Sequence, residues 1–323
     1  MKNKLFRNIL LAIFMTAVSA ACLPTQETED TTVQPLRVGF TGKWGDYTLL
    51  VAKENNIFEK YGVEVDPVYY KVYSEYAVAM ASGQLDGAFL AIGDIININP
   101  ITPLKIVGLN DDGGANAILA GPDINEIGDL KGKRVGVLIG AQYEMMVADM
   151  LQSAGMNSGD IRIVFTNPEE ALAALQTGRV QAVHAWEPYI SQAIANGYKV
   201  IYPPQKTLLF PDAIVFRDSV IKQRPNDIRA FLAAWYEAVS YRLQHEGETR
   251  QIAAEYVGGT ADNIKPDINL RIYPLQEAKV LFSIQEKNSI YDMTRMTSDY
   301  LVSIGSITQD IDLLALIDPS YLP

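Results

Sequence analysis

Aromatic rings stand beside carboxylates in Trp44-Gly45-Asp46-Tyr47, Tyr143-Glu144 and Trp186-Glu187, and Asp94 adds a further acidic group. Carboxylates accept hydrogen bonds from amines, amidines and other N–H donors, while aromatic faces suit flat rings and cations. Lys43 is the one cation close to these residues in sequence. The combination leans toward a nitrogen-bearing heteroaromatic, such as a pyrimidine or a flavin-like compound, over a sulfonate or nitrate. His184 and His245 are the only histidines and lie far from any ligand spacing such as His-x-x-x-His, so no metal site is expected. No cofactor is expected either.

The elements that must carry these residues alternate. Leu36–Phe40, Val63–Val68 and Gly87–Leu90 read as strands, with helices predicted over Tyr47–Asn56 and Tyr73–Ser82 between them. Leu104–Gly108 and Ala115–Ala120 continue the pattern. A second series starts after Gly121-Pro122: strands at Arg134–Leu138, Ile161–Phe165, Val180–Ala185 and Lys199–Tyr202, and helices at Gln142–Ala154, Glu169–Thr177 and Pro188–Asn196. Strands separated by helices of about 10 residues imply βα units and a mostly parallel sheet. Pro203-Pro204 and Phe210-Pro211-Asp212 interrupt the series. Beyond Phe216 helices follow, beginning with an amphipathic one over Pro225–Gln244.

The first residues read as an export signal. Lys2, Lys4 and Arg7 precede the apolar run Ile9–Val18, which is too short to span a bilayer, where about 20 apolar residues are needed. Ser19-Ala20-Ala21 then precede Cys22, the only cysteine, so no intramolecular disulfide can form. Lipidation of Cys22 explains a lone thiol in an exported chain; the alternative is plain cleavage after Ala21, and Ser19 departs from the aliphatic residue usual in a lipobox. Residues 1–21 are thus the expected signal, and 22–35, polar and acidic, the expected tether. A formal charge of -11 without a basic cluster argues against nucleic acid as a partner.

Several segments together resemble the type II periplasmic-binding family for nitrate, sulfonates, taurine and thiamine-pyrimidine precursors. They are Leu50–Glu64, Gly83-Gln84-Leu85-Asp86-Gly87-Ala88, Gly114-Ala115-Asn116-Ala117-Ile118, Ala185-Trp186-Glu187-Pro188-Tyr189 and, most specific, Asp129–Val137 (Asp-Leu-Lys-Gly-Lys-Arg-Val-Gly-Val). The resemblance implies an α/β fold of two lobes, each a mostly parallel sheet flanked by helices, joined by two hinge strands. Lobe one would take 36–120 and 216–323, lobe two 121–215, with the ligand in the cleft between them.

Family position then nominates Trp44, Asp46, Tyr47, Ile92, Gly93, Asp94, Asn110, Gln142, Tyr143, Glu144, Trp186 and Glu187 as the ligand-binding set. Each has a plainer alternative. Asp46 and Asp94 stand where a helix cap is expected, and Asn110–Asp112 reads equally as a solvated turn. Relatives carry Ser or Thr near Gln142, and Glu144 in a first helical turn would repel an anion. Trp186 could pack in the core, and Tyr69, Tyr70, Tyr73 and Tyr76 form a cluster that either borders the cleft or packs a lobe.

The resemblance implies a non-enzymatic role: a monomeric, lipid-anchored protein on the extracytoplasmic face that captures a small solute for an ABC permease and its ATPase. A sulfonate, taurine or nitrate binder of the same family is the alternative. An enzyme on the same fold, such as the fungal pyrimidine synthase with its cysteine-rich motif and active-site histidine, is a second alternative, disfavoured by the placement of Cys22. A sensor acting through a separate partner is a third class.

Overall fold

The computed structural model describes residues 34–114, 116–203, 211–267, 269–308 and 311–323. The export signal, Cys22 and nearly all of the expected tether lie outside them. No helix among the described residues is long and apolar enough to cross a membrane.

Among the described residues, ten strands form two sheets of five. They are β1 (Leu36–Phe40), β2 (Val65–Tyr69), β3 (Gly87–Ala91), β4 (Leu104–Asp111), β5 (Ala117–Ala120), β6 (Arg134–Val137), β7 (Arg162–Phe165), β8 (Ala182–Ala185), β9 (Lys199–Tyr202) and β10 (Asp212–Arg217). The first sheet runs β2-β1-β3-β10-β4 and the second β7-β6-β8-β5-β9. In each, one strand opposes the rest: β10 is antiparallel to β3 and β4, and β5 is antiparallel to β8 and β9. The opposing strand is the one that has just crossed from the other sheet, so the second sheet repeats the plan of the first. Parallel strands covered on both faces should be continuously apolar, and β3 (Gly-Ala-Phe-Leu-Ala) is buried at every position.

Two expectations change. Ala117–Ala120, expected in the first lobe, pairs Ala117 with Ala185 and Ile118 with Tyr202, both in the second sheet. Asp212–Arg217, read as an interruption followed by helices, is a full strand seated between β3 and β4, and the expected boundary at 215/216 cuts through it. The sheets therefore part at Asp112–Asn116 and between Tyr202 and Asp212.

Helix Pro225–Arg242 starts with proline at its first turn, where the missing N–H costs nothing. Its buried face, Ile228, Phe231, Leu232, Trp235, Val239 and Arg242, packs on the first sheet, with Trp235 stacked on Phe89 at 4.7 Å between centroids. Arg242 continues an apolar stripe at helical spacing, which carries a charge into the protein at the level of the loop after β1.

Candidate functional site

The strands of both sheets that run in the common direction end toward one region, where the chain turns into helix N-termini. This is the arrangement in which α/β proteins place ligands. From the first sheet come the loop Thr41–Tyr47 after β1, Asp94 in the helix after β3, the end of β4 and the start of β10. From the second come Gln142 and Tyr143 after β6, and Trp186 and Glu187 after β8.

The loop after β1 is fixed from both sides. Asp46 is fully buried and accepts hydrogen bonds from Thr41 N (2.9 Å), Thr41 Oγ1 (2.8 Å) and Asn110 Nδ2 (3.0 Å). It does not cap the following helix, Thr48–Glu54, which has no side-chain cap. Gly45 has no room for a Cβ against the Asp111 carboxylate. Arg242 reaches in from its helix and donates to Trp44 O (2.9 Å), Gly45 O (3.0 Å) and Thr48 Oγ1 (2.7 Å), with its guanidinium 4.6 Å from the Trp44 ring. Tyr47 closes the loop by donating its hydroxyl to Gly42 O at 2.9 Å.

Lys43 projects from this loop into a buried ion pair with Asp212. Its ammonium lies 5.3 Å from the Tyr73 ring centroid and 5.7 Å from that of Trp186, so it touches both sides of the site. Burial opposes the Lys43 charge, but Asp212, Asp46, Tyr143 and Asp111 together hold its pKa above the ordinary value. Asp111 is buried beside Asp212 in adjacent strands, and burial followed by repulsion from Asp212 raises its pKa. The rings of Trp186, Tyr73 and Tyr143 pack edge-on or tilted, with centroids 5.4 Å apart for Tyr73–Trp186 and 5.8 Å for Tyr143–Trp186.

A cavity remains between these walls, lined by Lys43, Trp44, Asp111, Gly113, Asn116, Tyr143, Trp186, Glu187, Asp212, Asp267 and Leu270. It offers about 20 Å³ to the centre of a water-sized sphere, room for about one water. Among the described residues, four carboxylates and one lysine therefore line it, and that lysine is already paired.

Gln142 is buried, with its side chain beside the Asp94 carboxyl. His184 on β8 packs against Tyr143 (4.6 Å) with Nε2 held by Asn116 Oδ1 at 2.8 Å and Nδ1 unpartnered. Burial pushes its pKa down to about 3, so the ring is neutral. No group of three or more metal-ligating side chains occurs among the described residues.

Of the nominated set, Trp44, Tyr143, Trp186 and Glu187 line the cavity. Asp46, Tyr47 and Asn110 stand behind it as supports. Ile92 and Gly93 are buried in helix Ile92–Ile98, off the cavity, and Gln142 is buried beside Tyr143 without lining it. Asp94 does not cap that helix either; it accepts from Tyr73 Oη at 2.7 Å and lies against Gly140 of the second sheet's first turn. Glu144 is half-buried beside Tyr300, away from the cavity. Glu187 also caps its own helix, accepting from Ser191 N (3.1 Å) and Ser191 Oγ (3.0 Å). The turn at Asn110–Asp112 is not solvated: Asn110 and Asp111 are fully buried. Asp212, Asp267, Asn116 and Leu270 were not anticipated; the position of Asp212 at a strand start after Pro211 was the one available signal.

Burial raises the pKa of Asp46 and of Asp94 from 3.8 to about 6, against the opposing effects of Lys43 and Thr41 on the first and of Tyr73 on the second. Between these values the native state holds protons that the unfolded chain has released, so stability falls as pH rises from about 4 to 6 and levels off above. A shift of this size corresponds to roughly 3 kcal/mol per group. Denaturant unfolding of wild type and Asp94→Asn should show the variant gaining up to about that much relative to wild type between pH 4 and 7. A constant difference across that range would contradict the charge burial at Asp94.

Comparison with known proteins places this geometry in context. Residues 29–258 match the model of the NMT1-like family. A Bacillus subtilis (strain 168) protein, provisionally named an aliphatic sulfonates-binding protein, is 25% identical over 284 residues, covering 85% of this chain and 83% of its own. The periplasmic nitrate-binding protein NrtA from Synechocystis PCC 6803 shares the fold with a TM-score of 0.75 at 14% identity, over 90% of this chain and 87% of that one. The desulfurization enzyme DSZB also shares it, with a TM-score of 0.66 at 14% identity over 90% and 97%.

Proposed function

Because the chain belongs to the NMT1-like family, we propose that it is the extracytoplasmic solute-binding component of an ABC importer. It captures a small solute between its two sheets and delivers it to a permease. The finer reading is a flat, nitrogen-bearing solute, such as a thiamine-pyrimidine precursor or a flavin-like compound. One observation carries it: the cavity presents Asp111, Asp212, Asp267 and Glu187 with Trp44, Tyr143 and Trp186, while the one cation among the described lining residues, Lys43, is taken by Asp212. An anion entering this site meets repulsion that no free cation among the described lining residues offsets, whereas N–H groups find acceptors and a flat ring finds aromatic faces.

Room for about one water does not admit such a solute, so the two sheets move apart to admit it and close over it. Lipidation at Cys22 would keep the protein at the membrane. The names of sulfonate- and nitrate-binding relatives favour the second reading, an anion binder. The enzyme reading has little support, since the chain's one cysteine precedes the fold and His184 is buried, neutral and tied to Asn116.

A thermal-shift panel of pyrimidines, flavins, polyamines, sulfonates and nitrate tests this. A ligand at about 100 times its Kd contributes about 2.7 kcal/mol, a rise of several degrees in Tm for a chain of this size. The expected responders are nitrogen-bearing rings. A rise with sulfonate or nitrate alone would favour the second reading.

A further inference from the structure

Asp267 lines the cavity from the segment before Ile272, which runs against the crossing between the sheets. Asp112 N donates to Arg271 O, and Arg271 N to Asp112 Oδ1, each at 3.0 Å. The Asp267 residue is only 6% exposed; Oδ1 accepts from Asn269 N at 2.9 Å, and Oδ2 has no partner among the described residues. A buried carboxylate oxygen without a donor is costly and rare in a native fold. Burial raises its pKa, with Glu187 and Asp112 adding to the effect. Glu187 comes from the opposite sheet and is fixed by Ser191. Asp267 and Glu187 thus bring like charges to one cavity, where Lys43 is committed to Asp212.

We propose that Asp267, which lines the cavity together with Glu187, is the acceptor for a cationic N–H group on the solute, an ammonium or amidinium attached to a flat body. The proposal rests on the solute-binding reading of this cleft and narrows it to monocations. Such a group satisfies Oδ2, screens Asp267 from Glu187 and lies against the Trp44, Tyr143 and Trp186 rings. Lys43, whose ammonium lies 5.7 Å from the Trp186 ring centroid, already shows that this aromatic face accepts an ammonium. Closure without the cation leaves the two carboxylates repelling, so binding and closure are coupled through it.

Calorimetric titration of the full chain with benzamidine, its neutral isostere benzamide and benzenesulfonate provides the test. Wild type is expected to bind benzamidine at least tenfold more tightly than benzamide, and benzenesulfonate least. Asp267→Asn should erase the benzamidine preference, cost benzamidine more affinity than benzamide and unfold at the same or a higher temperature, since it removes an unpaired buried charge. Trp186→Leu should weaken both ring probes. If Trp186→Leu weakens both while Asp267→Asn weakens neither, the cleft stands as the solute site and Asp267 is not its cation acceptor. If benzamidine fails to bind at millimolar concentration, or binds no better than benzamide, the proposal is overturned. If measured affinities survive both substitutions, the cleft reading falls with it.

Discussion

Arg242→Met should lower the unfolding free energy by about 3–5 kcal/mol, the loss seen when one partner of a buried charge network is removed. The guanidinium is fully enclosed; burial pulls its pKa down to about 9 even though Asp111 and Asp46 favour its charge. Its removal strips donors from Trp44 O, Gly45 O and Thr48 Oγ1 and leaves the buried Asp111 and Asp46 with less positive charge to face. Methionine keeps most of the volume, so the loss reports hydrogen bonds and charge rather than a cavity. Because the same contacts hold the Trp44 carbonyl and ring, the variant should also lose solute affinity at temperatures where it remains folded. Urea unfolding monitored by far-UV circular dichroism checks the first effect. A loss below about 1 kcal/mol would mean that the loop after β1 holds its shape without Arg242.

The alternating elements were legible because they rest on local pattern. Apolar runs such as Phe89-Leu90 and the stripe Ile228, Phe231, Leu232, Trp235 have the periods of strand and helix, and burial in the fold follows them. β10 was not legible. It follows Pro211 and owes its place to β3 and β4, partners more than a hundred residues earlier in the chain. The same limit governs the site. Trp44, Tyr143, Trp186 and Glu187 follow predicted strands and were found by that rule. Asp46 looked like a helix cap because only its neighbours were visible; its partner Asn110 lies 64 residues on. Glu144 occupies a correctly placed first helical turn, yet the helix turns it toward Tyr300 rather than the cavity. Asp267 stands in a segment without periodicity, and only contact with Asp112–Gly114 brings it to the site. Arg242 did leave a trace: an arginine at the buried-face position of an apolar stripe.

The chain's three tryptophans divide between site and core. Trp44 and Trp186 line the cavity, whereas Trp235 is fully buried between Phe89 and Phe231 in the first sheet's core. A flat solute stacked between the sheets must therefore change the emission of the first two and leave the third untouched. Stacking is worth about 0.5–1.5 kcal/mol beyond area burial, so Trp186→Leu, which also forfeits that area, should weaken affinity by roughly tenfold or more.

The central claim is that the cleft between the two sheets captures a flat, nitrogen-bearing solute. It is tested most directly by a tryptophan-fluorescence titration with the nitrogen-bearing compound that gives the largest thermal shift, run against a sulfonate and nitrate. The account predicts a saturable change in wild type and in Trp235→Phe, absent from the Trp44→Phe/Trp186→Phe double variant. A change that persists in the double variant, or one produced by sulfonate or nitrate and not by the nitrogen-bearing compound, would contradict it.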